Sequence, residues 1–162
     1  MESIFKSIST AFYDDFQGFA NAEQVTHLVL RVTAACIAGA VIGYQRERTG
    51  KAAGLRTHIL VTVGTSLMVA ICYLEGMGHA DVSRVLQGII TGIGFLGGGV
   101  ILKLEKHQEI KGLTSAAAIW YVAALGIACG LGQLTLALLG SVVGFAVLEM
   151  LGRLDTGAQE NA

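Results

Sequence analysis

Five stretches of about 20 mostly apolar residues follow one another along this chain, joined by short connections, and about 20 such residues are what a helix needs to cross a bilayer. They run roughly over 26–45, 57–77, 82–102, 112–131 and 133–152. Charged residues make up only 14% of the chain against 53% hydrophobic, where soluble domains carry about 25% charged. A water-soluble globule of this size could not cover its outside with so few polar groups. The apolar content also excludes a disordered chain. Three cysteines in 162 residues exclude a disulfide scaffold. A net charge of −1 excludes binding driven by neutralising nucleic-acid phosphates. The fold class expected is all-α, a polytopic transmembrane helix bundle with about five spanning helices and a glycine-rich third one. The alternative is that one segment is re-entrant.

The basic residues orient the bundle. Arg46, Arg48, Lys51 and Arg56 lie between the first two segments, Lys103, Lys106 and Lys111 between the third and fourth, and Arg153 after the fifth. Only Lys6 and Arg84 fall on the other side. The positive-inside rule then predicts an external N-terminus and a cytoplasmic C-terminus. Residues 1–24 lack the continuous apolar core of a signal peptide. Ile4, Ile8, Phe12 and Phe16 recur there at helical spacing, flanked by Phe5 and Phe19, which reads either as an interfacial helix or as a frayed terminus. The transmembrane domain is expected over 25–153, and a disordered tail over 154–162.

There are 22 glycines and no prolines, so any helix break must come from glycine. Small residues four apart let helices approach closely in lipid, and such pairs occur at Gly39/Gly43, Gly88/Gly92, Gly94/Gly98, Gly126/Gly130 and Gly140/Gly144. The same faces could also assemble a homo-oligomer. In the third segment Gly92, Gly94 and Gly97 match the dinucleotide fingerprint GxGxxG, but that fingerprint needs a preceding strand within a βαβ unit, and none is present. Each interior glycine weakens a helix by about 1 kcal/mol relative to alanine. The third helix is therefore either unwound near Gly97–Gly99, lining an ion site, or intact and tightly packed.

Charge inside a bilayer is a functional hypothesis by default. Arg31 sits in the first segment near the outer side, and Asp81 and Arg84 open the third on that side. An Arg31–Asp81 pair would neutralise both. Glu149 lies near the cytoplasmic end of the fifth segment, with Arg46, Arg48 and Arg56 as candidate partners. Mg²⁺ wants oxygen ligands in octahedral geometry. Only Asp81 and Glu149 qualify near the membrane, at opposite ends. No cofactor is expected. Cys36, Cys72 and Cys129 lie in membrane segments without CxxC spacing and read as small apolar residues. The four histidines are scattered, and no catalytic constellation is legible.

Three ordered blocks carry a resemblance. The first runs over 43–58, GYQRERTGKAAGLRTH; the second over 92–101, GIGFLGGGVI; the third over 110–120, IKGLTSAAAIW. In this order and spacing they closely resemble the membrane domain of the MgtC/SapB family, over about 28–152. The resemblance implies a non-enzymatic bacterial inner-membrane protein linked to Mg²⁺ homeostasis and growth at low Mg²⁺, and to virulence in pathogens. It implies regulation of membrane complexes, the F-type ATP synthase among them, or of membrane potential; the alternative is a Mg²⁺ or other cation permease. The matched positions carried over as functional are Arg46, Glu47, Arg56 and Thr57 in the first connection, with Asp81, Arg84 and Gln87 leading into the glycine segment. Family members commonly hold an acidic residue where Gln45 stands, so an ion pair there is lost. Longer members add a cytosolic C-terminal domain, and this sequence ends ten residues after Gly152.

Overall fold

Apolar runs free of proline offer nothing to interrupt a helix until a glycine or a polar cluster does. The structure, a computed structural model, describes residues 2–17, 22–104 and 109–159. It contains six helices: α1 (Glu2–Gln17), α2 (Ala22–Arg48), α3 (Leu55–Leu74), α4 (His79–Val100), α5 (Leu113–Gly130) and α6 (Leu134–Gln159). A short antiparallel hairpin, β1 (Leu102–Leu104) and β2 (Glu109–Lys111), joins α4 to α5 and pairs Leu102 with Lys111. Apolar periodicity gave no sign of this hairpin. Lys106, read above as part of the basic connection, lies outside the described residues, as do His107 and Phe19.

Helices α2, α3 and α5 end in the same way. Gly50, Gly76 and Gly132 adopt positive φ of 65°, 64° and 78°, and the N–H that follows each reaches back to a carbonyl of the last turn: Lys51 to Arg46 at 3.1 Å, Met77 to Cys72 at 2.9 Å and Gln133 to Ala128 at 2.9 Å. This is the Schellman cap, and it needs a residue that enters the left-handed region without penalty.

Four helices are long and apolar enough to cross a membrane: α2, α3, α5 and α6, the last over Leu134–Gly152. The five spans expected become four by this measure. The exception is α4, whose Asp81, Arg84, Gln87 and six glycines dilute its apolar content. Helix α4 nonetheless runs unbroken to Val100, so the intact helix, not the unwound one, is what forms. Helix α6 continues to Gln159, into the stretch expected as a disordered tail; residues 160–162 lie outside the described residues.

Helix α5 is the centre of the bundle, packing on α2, α3, α4 and α6, while α3 is held between α2 and α5. Ile42, Val69, Ile119, Val122 and Cys129 are fully buried where these helices meet. Tyr121 Oη donates to the Gly140 carbonyl at 2.7 Å and ties α5 to α6. By contrast α4 leans mainly on α5, and an apolar groove of about 540 Å³ opens between α4 and α3, floored by Val61, Thr65 and Ile89.

Candidate functional site

Two glycines on α2 determine how near α3 can come. A Cβ on Gly39 would lie 2.7 Å from Thr62 Oγ1, and one on Gly43 would lie 2.8 Å from Leu55 Cα and 2.9 Å from His58 Cβ. Both are closer than side chains tolerate. The close approach brings the polar stripe of α3, made of His58, Thr62, Thr65 and Ser66, into the interior, where all four are buried. The three hydroxyl groups of this stripe meet different fates. Thr62 Oγ1 donates to the His58 carbonyl at 2.6 Å. Thr65 Oγ1 has acceptors on its own helix and, at 3.3 Å, the Ala123 carbonyl of α5. Ser66 Oγ finds no partner.

At the basic end of the bundle this stripe meets the last turn of α2. Arg46 is only 3% exposed. Its Nη2 donates to Ser115 Oγ in the first turn of α5 at 3.1 Å, and its Nε has no partner. Among the described residues the cation–carboxylate contacts within 4 Å are Arg84–Asp81 at 3.0 Å and His27–Glu23 at 3.8 Å; no carboxylate comes that close to Arg46. His58, wholly buried, shares Nδ1 with the Gly54 carbonyl at 2.8 Å and leaves Nε2 unpartnered. Gln45 Nε2 reaches the Leu148 carbonyl at 3.3 Å and Glu149 Oε2 at 3.5 Å on α6. Four helices thus converge on one polar centre, and the full charge at its heart is positive.

Glu47 does a local job. Its Oε2 accepts the Leu55 N–H at 2.7 Å. That satisfies one orphan donor at the start of α3 and sets a negative charge against the helix dipole. Glu47→Ala is expected to lower stability by about 1 kcal/mol, as loss of an N-terminal cap does, read as an earlier thermal unfolding transition in detergent. An unchanged transition would show that water serves the Leu55 N–H equally well.

The other expected residues are dispersed. Arg31 does not pair with Asp81. Its Nη1 donates to the Gly130 carbonyl at 2.8 Å and its guanidinium lies over the Tyr73 ring at 5.4 Å. It therefore caps the C-terminus of α5, where a cation meets the negative end of the helix dipole. Asp81 pairs instead with Arg84 one turn along α4, both exposed. The two ends of the expected pair share a side of the bundle, but each finds a nearer partner. Arg56 and Thr57 are exposed on the first turn of α3. Gln87, Gly92 and Gly94 are exposed on α4, and a Cβ on either glycine would meet nothing within 4 Å. Only Gly97 is buried, against Ala116 of α5. Of the expected residues, the polar centre gathers Arg46 and Glu149, with Glu47 on its rim. His58, Thr62, Thr65, Ser66 and Ser115 were not singled out from the sequence. The signal for α3 was available: polar residues at i, i+4, i+7 and i+8 of an apolar span mark one helical face, and in a membrane that face turns inward. Among the described residues no three His, Cys, Asp or Glu side chains group as a metal site.

A model of the MgtC family matches residues 32–156. The chain is 40% identical over 136 residues to "Putative magnesium transporter YhiD" of Escherichia coli K12, covering 78% of this chain and 61% of that protein. It is 39% identical over 137 residues to "Protein SrpB" of Synechococcus elongatus, covering 77% of this chain and 74% of that one. Protein MgtC of Brucella abortus is 40% identical over 124 residues, 74% of this chain and 51% of its own length. The chain thus spans less than two thirds of the Escherichia and Brucella relatives. No solved structure matches it.

Proposed function

The chain belongs to the MgtC family of membrane proteins, and from that premise we propose that it is a non-enzymatic inner-membrane regulator linked to Mg²⁺ homeostasis, acting on another membrane complex or on membrane potential rather than carrying the ion. The orientation that goes with this reading has the N-terminus outside and the basic end in the cytoplasm, following the distribution of Lys and Arg. The surfaces offered to a partner are the basic end and the face of α4 around Gly92, Gly94 and Gly98, which no other described residue covers.

The observation that carries this reading is Arg46. A divalent cation about 6 Å from a guanidinium is repelled by about 5.5 kcal/mol at an effective dielectric of about 20, and among the described residues no carboxylate lies within 4 Å of Arg46 to offset it. A cation path through the bundle would need carboxylates to overcome that. Three near its ends are engaged: Glu47 caps α3, Glu149 is bonded to Gln45, and Asp81 is held by Arg84. The printed name of the Escherichia relative favours transport, so flux is the test. Sealed vesicles holding only the purified chain are expected to admit Mg²⁺ no faster than empty ones. An influx that disappears in Asp81→Asn would overturn the regulator reading and make α4 part of a conduction path.

A further inference from the structure

Helix α1 carries large apolar side chains that no other described part of the chain covers. Ile4 is 64% exposed, Phe5 77% and Ile8 62%. These three fall within one third of a helical turn of one another's direction, and the sequence spacing continues to Phe12 and Phe16. Helix α1 makes no substantial packing contact with α2–α6. Left in water, such a face would drive association. Its position restricts what can cover it. Gln17 and Ala22 are five chain steps apart, at most about 18 Å even when fully extended, and α2 is a candidate membrane span. The apolar face is therefore tethered at the bilayer surface where α2 enters.

Charge then selects among lipids. The sequence of α1 contains one lysine, Lys6, against Glu2, Asp14 and Asp15. A helix with that balance gains nothing from anionic headgroups, and its attachment rests on apolar burial alone. We propose that α1 lies in the plane of the membrane interface, with Ile4, Phe5 and Ile8 sunk to the headgroup–acyl boundary of zwitterionic lipid, on the side where α2 begins. At about 1.5 Å per residue it covers about 24 Å of membrane surface. It holds the entry of α2, and with it Arg31, at a constant depth.

The chain has a single tryptophan, Trp120, which makes depth measurable. Full-length protein carrying Trp120→Phe and either Phe5→Trp or Thr10→Trp would be placed in phosphatidylcholine nanodiscs. Both reporter positions are exposed and lie outside the bundle, so neither substitution threatens folding. Brominated phosphatidylcholine is expected to quench Phe5→Trp several-fold more than Thr10→Trp, and aqueous acrylamide to do the reverse. Salt and added anionic lipid should change neither. Equal quenching at the two positions by acrylamide would overturn the proposal. So would protection of position 5 from both quenchers, which would assign the face to another protein surface. Burial that appears only with anionic lipid would overturn it as well.

Discussion

Gly126→Val is expected to unfold the bundle, while Gly92→Ala leaves it as stable or slightly more so. A Cβ on Gly126 would collide with Thr65 Oγ1 and with the Thr62 carbonyl of α3. The second obstacle is backbone and cannot swing aside. Gly39 stands on the other side of the same turn, where a Cβ would lie 2.9 Å from the His58 carbonyl. Helix α3 is therefore gripped between two glycine surfaces, and moving it off one drives it into the other. One extra methylene in a packed core costs about 1–3 kcal/mol. The three carbons of valine set against backbone should exceed that range and consume much of the roughly 5–15 kcal/mol that holds a domain folded. At Gly92 the space is open, and alanine gains up to about 1 kcal/mol of helix propensity. Unfolding in detergent by heat or by SDS reads both. A Gly126→Val protein as stable as its parent would show that α3 and α5 are not in contact. A Gly92→Ala protein weakened as much as Gly126→Val would show that a partner or a second copy covers that face of α4.

Arg46→Met is expected to separate folding from function. The substitution keeps much of the length and bulk of the side chain and removes its charge. It forfeits the 3.1 Å bond to Ser115, about 1 kcal/mol. It also removes the cost of holding a guanidinium out of water with no carboxylate beside it, several kcal/mol in a real protein. Stability should hold or rise, as apolar replacement of buried charge often permits. Growth at low Mg²⁺ in a strain that depends on the chain should be lost. A fall in stability of about 3 kcal/mol or more would mean that the charge has a counter-charge whose desertion is felt. Full growth with a folded Met variant would reduce Arg46 to a packing residue.

Much of this architecture is legible along the chain. Apolar length marks four of the spans, and glycine placement marks three of the helix ends, because both depend on properties local to a segment: hydropathy summed over about 20 residues and the steric freedom of a single residue. The family resemblance of the first connection marks Arg46 and Glu47. The pairing of Arg31 with Asp81 failed for a different reason. Depth in the membrane can be read from sequence, but the direction a side chain takes around its helix relative to distant neighbours cannot. Arg31 turned to the end of α5, 99 residues along the chain.

The glycines draw the same line. Their spacing announces several faces fit for close packing, and in sequence all look alike. The fold uses Gly39, Gly43, Gly126 and Gly130 to clamp α3, uses Gly97 against Ala116, and leaves Gly88, Gly92, Gly94 and Gly98 open. The sequence by itself determined that the chain is helical, that it belongs in a bilayer and, at Gly50, Gly76 and Gly132, where three of its helices stop, since each follows from the energetics of a segment and its surroundings. Only the tertiary structure decided which small faces meet. That choice buried Arg46, His58 and Ser115 together, because bringing helices within touching distance is a property of pairs of segments and of how each is turned toward the other.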